Sequence, residues 1–188
     1  MKQLLLICAV VALMGCGEAE QEDLLTHEDS EEAKAAVVIN PPPPERSIEV
    51  QFLDGELDGT DLEEVTELDL DGYQLTELPK NLKYLTQLKV LVLSKNQLTE
   101  LPKGLEKLTQ LNQLSLRNNK LTDVKGLENL TKLEKLSLYG NQLTNVEGLE
   151  KLDQLKELWL KGNPDLTKAQ IAELQKALPK CKISSNHD

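Results

Sequence analysis

Aromatic side chains are scarce in these 188 residues: one Phe, one Trp and three Tyr. The core therefore has to come from aliphatic residues, and forty leucines, more than a fifth of the chain, supply it. A core drawn from one side chain points to a repeated solution. Histidine is limited to His27 and His187, near opposite ends, and cysteine to Cys8, Cys16 and Cys181. That inventory excludes a zinc site and a disulfide framework, and it argues against a Ser-His-Asp triad. Bases are outnumbered, 21 Lys plus Arg against 32 Asp plus Glu, for a net charge of −11. Nucleic acid is excluded as the main partner, because phosphate binding needs a basic footprint. Glycine-rich phosphate loops and paired-carboxylate motifs are also missing. The expectation is a protein that is not an enzyme, with no catalytic residues, no metal ligands and no cofactor.

Long apolar runs are limited to one. Lys2 gives a positive start, and Leu4 to Met14 is an unbroken apolar stretch of eleven residues. A bilayer-spanning helix needs ~20 residues, so this run matches the apolar region of a secretory signal. It ends Leu13-Met14-Gly15-Cys16. This resembles the lipobox of bacterial lipoproteins, although Met14 stands where a small residue is more usual. The resemblance implies a signal peptide over 1–15 and lipidation of Cys16 by palmitate-type acyl chains. Several chains hold a protein on a membrane stably, whereas one does so marginally. Gly17 follows instead of Asp, which by the same resemblance favours the outer membrane or cell surface over the inner membrane. The plainer alternative is a signal peptide with a fortuitous cysteine.

Residues 16–47 read as the lipid attachment site followed by a disordered tether. Between 17 and 47 there are nine acids against Lys34 and Arg46, and Pro41 to Pro44 run consecutively. Like charges extend such a chain, and the prolines impose a stiff spacer. This length would hold a domain roughly 30 Å from the membrane. A proline run is also a possible ligand for aromatic grooves, but a spacer is the simpler account.

The remainder is one repeat. Leu68, Leu91, Leu114, Leu136 and Leu158 are spaced 23, 23, 22 and 22 apart. A second leucine follows each by two places: Leu70, Leu93, Leu116, Leu138 and Leu160. Then come Asn96, Asn119, Asn141 and Asn163, with Tyr73 in the first copy. Leu98, Leu121 and Leu143 stand two places further on, and Leu166 arrives one place late after Pro164. The template is L-x-x-L-x-L-x-x-N-x-L. Over about 62–183 the chain resembles the leucine-rich repeat family, and its later copies resemble the 22-residue repeats of internalins and phosphatase-regulator proteins.

The physics of the pattern can be read without the family. L-x-L is the period-2 alternation of a short strand. Strands at this spacing can stack in parallel ~4.8 Å apart. No copy can bury its leucines alone, so its neighbours must supply the walls. The asparagine amide suits the bend after each strand. A second ladder, Thr86, Thr109, Thr131 and Asp153, is expected to accept from backbone N–H groups at a turn or helix start. On the opposite side, Leu78-Pro79 and Leu101-Pro102 give way to Gly126-Leu127 and Gly148-Leu149. The resemblance implies short 3₁₀ turns there.

The expected fold is an α/β solenoid: a leucine-rich repeat arc with a parallel concave sheet of about five strands, a 3₁₀ or irregular convex side and a C-terminal helix cap. The N-terminal cap is placed at 48–66, with strand-like residues at 48–50, and the repeats at 67–166. The C-terminal cap and tail occupy 167–188. Ile171, Leu174 and Leu178 share a helical face, Pro179 stops the helix, and Cys181 with Ile183 suits a short closing strand.

Outward strand positions form three columns. They are Glu67, Val90, Gln113, Lys135, Glu157; then Asp69, Val92, Ser115, Ser137, Trp159; then Asp71, Ser94, Arg117, Tyr139, Lys161. Binding surfaces favour aromatic and Arg anchors. The candidate partner-binding residues are therefore Trp159, Tyr139, Arg117, Lys161 and Lys135, with Val90 and Val92 as an exposed apolar spot. A solvated sheet face without a partner is the alternative.

Charge is segregated: residues 48–71 hold ten acids and no base, whereas 72–188 hold thirteen acids and eighteen bases, a net of +5. The acidic tether could fold back on this basic body, or the body could steer toward anionic envelope surfaces; solvated lysines are the bland account. Asp54-Gly-Glu56-Leu-Asp58-Gly59 looks like the start of a calcium loop, but loop position twelve is Val65 rather than a carboxylate. An acidic turn is the better reading. Cys181 reads as a small buried apolar group, with intermolecular pairing as the alternative.

The function expected from the resemblance is non-catalytic binding of a protein or peptide by a monomeric lipoprotein of the bacterial cell envelope, held to the membrane by its N-terminal lipid. The alternative is an envelope scaffold or spacer without a ligand.

Overall fold

The computed structural model describes Phe52, Leu62 and residues 64–187. The apolar run, Cys16, the acidic proline-rich segment, the strand expected at 48–50 and the acidic loop at 54–59 lie outside the described residues.

Each L-x-L segment forms a three-residue strand. These are β1 (Glu67–Asp69), β2 (Val90–Val92), β3 (Gln113–Ser115), β4 (Lys135–Ser137), β5 (Glu157–Trp159) and β6 (Lys182–Ser184). They pair in chain order as one parallel sheet. Leu68, Leu91, Leu114, Leu136, Leu158 and Ile183 share a single register line. The closing segment at Cys181 and Ile183 is thus a sixth rung beyond the five repeat strands.

The middle leucine of each repeat strand faces inward with its neighbours above and below. Leu70, Leu93, Leu116, Leu138 and Leu160 form the next buried rail. The chain then crosses behind the sheet in 3₁₀ turns at Lys80–Tyr84, Leu105–Lys107, Leu127–Asn129 and Leu149–Lys151. These turns bury Leu82, Leu105, Leu127 and Leu149 against the strand leucines. Burying one such side chain is worth about 1.5–3 kcal/mol, and here each burial depends on the adjacent coil. Phe52 and Leu62, both helical and buried, extend the same core on the N-terminal side.

The asparagines clamp successive coils. Asn119 Nδ2 donates to Leu116 O of its own coil at 3.1 Å and to Leu93 O of the preceding coil at 2.9 Å. Its Oδ1 accepts from Leu98 N at 3.1 Å. Asn96, Asn141 and Asn163 repeat this arrangement. The first bend, where Tyr73 replaces asparagine, is held from the next coil: Asn96 serves both Leu70 O and Leu75 N.

The Thr/Asp ladder departs from expectation. Thr86, Thr109, Thr131 and Asp153 follow the first residue of tight turns, closed by bonds such as Leu88 N to Leu85 O and Leu111 N to Leu108 O, both 3.0 Å. Among the described residues, their side chains accept no backbone N–H. The turn is closed by main-chain groups, so these side chains stand exposed in solvent.

A glycine in the left-handed region precedes the later 3₁₀ turns: Gly104 at φ 94°, Gly126 at 104° and Gly148 at 96°. In each case the glutamate two places on bonds that glycine's N–H. The second repeat therefore carries the glycine device as well as its Leu-Pro pair. The Glu128 carboxyl is held below its ordinary value of 4.5, first by its own backbone N–H and then by that of Gly126. A folded pKa below the unfolded one gives stability that is present above ~pH 4.5 and lost as pH falls through the folded value. Glu128→Gln keeps an acceptor but removes the charge. Its melting temperature is expected to lie below wild type near pH 7, with the gap closing as pH falls below the folded value of the Glu128 carboxyl. Calorimetry across this pH range checks this.

The C-terminal end is closed by α1 (Lys168–Ala177). Thr167 and Gln170 form a reciprocal capping box at its start. Leu174 and Leu178 are buried and Ile171 packs partly against the core. His187 Nε2 lies 2.8 Å from Leu166 O, so this histidine ties the tail to the last coil.

Candidate functional site

Because the inward positions of the five repeat strands are taken by leucine, residues on either side of them project from the opposite face. The register aligns the first two columns as the sequence spacing implies and extends them by Lys182 and Ser184 of β6. The third column follows the bonds Gly72 N to Ser94 O, Lys95 N to Arg117 O, Asn118 N to Tyr139 O and Gly140 N to Lys161 O.

The residues of this face differ strand by strand. On β1, Glu67 and Asp69 are exposed, and the Asp71 carboxylate beyond them meets Lys95 Nζ at 2.8 Å. On β2, Val90 and Val92 are half-buried rather than a bare apolar spot, because strands on both sides cover short branched side chains. Ser94 is buried, with its Oγ 2.7 Å from Ser115 Oγ. It therefore leaves the exposed column to which its spacing assigned it.

The other end is richer. The Arg117 guanidinium lies over the Tyr139 ring at 5.0 Å from its centroid, a cation–π contact that holds the planar fork in place. Tyr139 stays 39% exposed. A methyl placed on Gly162 would stand 4.0 Å from Tyr139 Cζ and only 2.9 Å from the Gly140 backbone. The ring thus runs beside a bend where two coils approach too closely for any side chain. Trp159, 37% exposed, sits in register with Ser137 on one side and Ser184 on the other. Both neighbours are small and leave the indole partly exposed. Lys135 Nζ is 3.8 Å from Glu157 Oε1, and Lys161 is exposed at the far end of the same strand face.

The structure thus gathers Arg117, Tyr139, Trp159, Lys135 and Lys161 on β3–β5 and the segments that follow them. Val90 and Val92 are three strands from Trp159, ~14 Å at the usual strand spacing. Lys182 joins the first column beside Glu157. Sequence reasoning missed it because the register of the closing strand is set by packing and not by the repeat.

Among the described residues no group of three or more His, Cys, Asp or Glu could hold a metal ion, and no helix is long and apolar enough to cross a membrane. Cys181 is buried, and burial, with the Glu157 charge adding, pushes its thiol up to about 11. It is a packed apolar group rather than a nucleophile. A groove of about 400 Å³ lies away from the strand face, between Asn145–Glu150 and α1, with Glu147, Glu150 and Glu173 on its rim.

Comparison with known families decides the class of the chain. A family model described as a leucine-rich repeat region matches residues 61–184. The chain belongs to the leucine-rich repeat family. Among solved structures, the domain is similar to a leucine-rich repeat protein of Leptospira interrogans, at 34% identity and a TM-score of 0.55. It is also similar to an internalin of Listeria monocytogenes, at 25% identity and a TM-score of 0.58. Each alignment covers 68% of this chain but only 39% and 36% of the respective relative. No curated protein matches. Leucine-rich repeat domains commonly serve as protein-interaction scaffolds, generally without catalysis.

Proposed function

We propose that this chain is a non-catalytic bacterial envelope lipoprotein, a monomer that binds another protein or a peptide through the strand face of its leucine-rich repeat domain. The observation that carries the reading is the exposed aromatic and cationic cluster on that face: an Arg117–Tyr139 stack and, on the next strand, an indole with serines as its register neighbours. Exposed Trp, Tyr and Arg are the residue types that dominate binding energy, and stacked repeats present such surfaces as a matter of architecture. The lipid anchor rests on the Leu13–Cys16 pattern, with Cys16 as the modified residue and residues 17–47 as the spacer.

Photocrosslinking probes at Tyr139 and Trp159 in intact cells are expected to trap a discrete partner. Alanine at Trp159, Tyr139 and Arg117 together should weaken its capture by about two orders of magnitude or more, as loss of hot-spot residues does. Unchanged capture by the triple variant would remove the strand face from the function. Absence of any partner would favour the scaffold reading. Metabolic labelling with a fatty-acid analogue is expected to mark the wild type and not Cys16→Ala.

A further inference from the structure

This inference rests on the reading that the strand face binds a polypeptide, and it specifies the chemistry of that polypeptide. Outward charge changes sign across the sheet. On β1, Glu67 and Asp69 are exposed and form no ion pair among the described residues, while Asp71 is offset by Lys95. The outward residues of β2 carry no charge. From β3 onward the face presents Arg117 and Lys182, while Lys135 is offset by Glu157. Arg117 forms no ion pair among the described residues, and its guanidinium is held against Tyr139. A planar fork held in that way is arranged to receive a carboxylate through two parallel N–H donors. Trp159 offers a partly exposed ring on the next strand but one.

Distances turn this gradient into a selection rule. Four inter-strand steps of about 4.8 Å put ~19 Å between β1 and β5. An extended peptide rises ~3.3–3.6 Å per residue, so about six residues cover that span. A uniform polyanion, such as an acidic lipid surface or glycan, would set negative charge against Glu67 and Asp69. These lie two strands from Arg117, ~10 Å, which is within about one Debye length at moderate salt. Like charges at that range disfavour it.

We propose that the partner is a bipolar extended segment. One end carries an aromatic or large apolar residue on Trp159 with Asp or Glu to either side of it, one reaching Lys182 on the adjacent strand and the other reaching Arg117 two strands back. The middle is uncharged and crosses β2. The other end, about six residues from the aromatic one and about three from the acid on Arg117, carries Lys or Arg and sits on Glu67 and Asp69.

The test pans a display library of random peptides about twelve residues long against the full-length chain, then measures recovered peptides by fluorescence anisotropy. Bipolar sequences of the stated spacing are expected. Against them, Glu67→Lys with Asp69→Lys should weaken binding by about tenfold or more and improve binding of the same peptide with its bases replaced by Glu. Arg117→Glu with Lys182→Glu should weaken the bipolar peptide by at least as much. These positions face solvent, and circular dichroism checks each variant; Glu67→Gln with Asp69→Asn replaces any reversal that fails to fold. If Trp159→Ala abolishes binding but neutralising or reversing β1 changes nothing, the bipolar rule is overturned while the strand face stands. If alanine at Trp159, Tyr139 and Arg117 leaves every recovered peptide bound, the strand face itself is overturned. Tighter binding of anionic vesicles than of any peptide overturns the rule. Self-association that Glu67→Lys with Asp69→Lys dissolves also overturns it, and makes a second copy of the chain the occupant.

Discussion

Leu114→Asp is expected to abolish cooperative folding of the repeat domain. Leu114 is 2% exposed and lies at the centre of the inward ladder, between Leu91 and Leu136. Removing a buried leucine side chain costs ~2–5 kcal/mol through lost transfer energy and the cavity left behind. The carboxylate adds the penalty of an unpaired buried charge, several kcal/mol more even after relaxation. A domain of this size has about 5–15 kcal/mol in total, so the substitution takes most or all of it. Thermal and urea melts followed by circular dichroism provide the check. A variant that still melted cooperatively at the wild-type temperature would show that the leucines of neighbouring coils do not seal one another.

Asn119→Ala is expected to cost about 2–5 kcal/mol, although no apolar packing is lost. The side chain is buried and bonds Leu98 N, Leu93 O and Leu116 O. Alanine leaves these main-chain groups with no water to replace it, and each unsatisfied buried group costs ~1–3 kcal/mol. Asn119→Asp should be at least as damaging near neutral pH. It keeps the acceptor for Leu98 N–H but turns a negative oxygen toward two carbonyls. The control is Asn129→Ala, an exposed position on a 3₁₀ turn, where the change should stay within ~0.5 kcal/mol. Equal urea midpoints for Asn119→Ala and Asn129→Ala would show that the clamp between coils contributes nothing.

These two positions also show why so much of the fold was legible. Leu114 and Asn119 occupy fixed places in a 22- or 23-residue period. In a stacked array each place has the same surroundings in every copy. Counting leucines therefore located the strands and the inward rails, and counting asparagines located the bends. The C-terminal cap was legible for a different reason: Thr167 and Gln170 at capping spacing and an apolar face ending at Pro179 are local signals. The Thr/Asp ladder was misread because the residue types allow an accepting role. Whether a backbone N–H is free to donate depends on a turn that main-chain groups had already closed.

The candidate site was legible only as columns. Spacing alone placed Arg117, Tyr139, Lys161, Lys135 and Trp159 on the outward face, since alternation along a strand is a local property. Spacing could not tell that Ser94 turns down to bond Ser115, that strands on both sides cover Val90 and Val92, or that Arg117 lies over Tyr139. Nor could it bring Lys182 beside Glu157. The sequence by itself determined the repeat, the buried leucine spine and, Ser94 apart, which residues face outward, because periodicity and nearest-neighbour stacking dictate all three. Only the tertiary structure decided which outward residues stay bare and which meet. That depends on contacts between side chains some twenty or more residues apart in the chain, brought within reach by each coil's return.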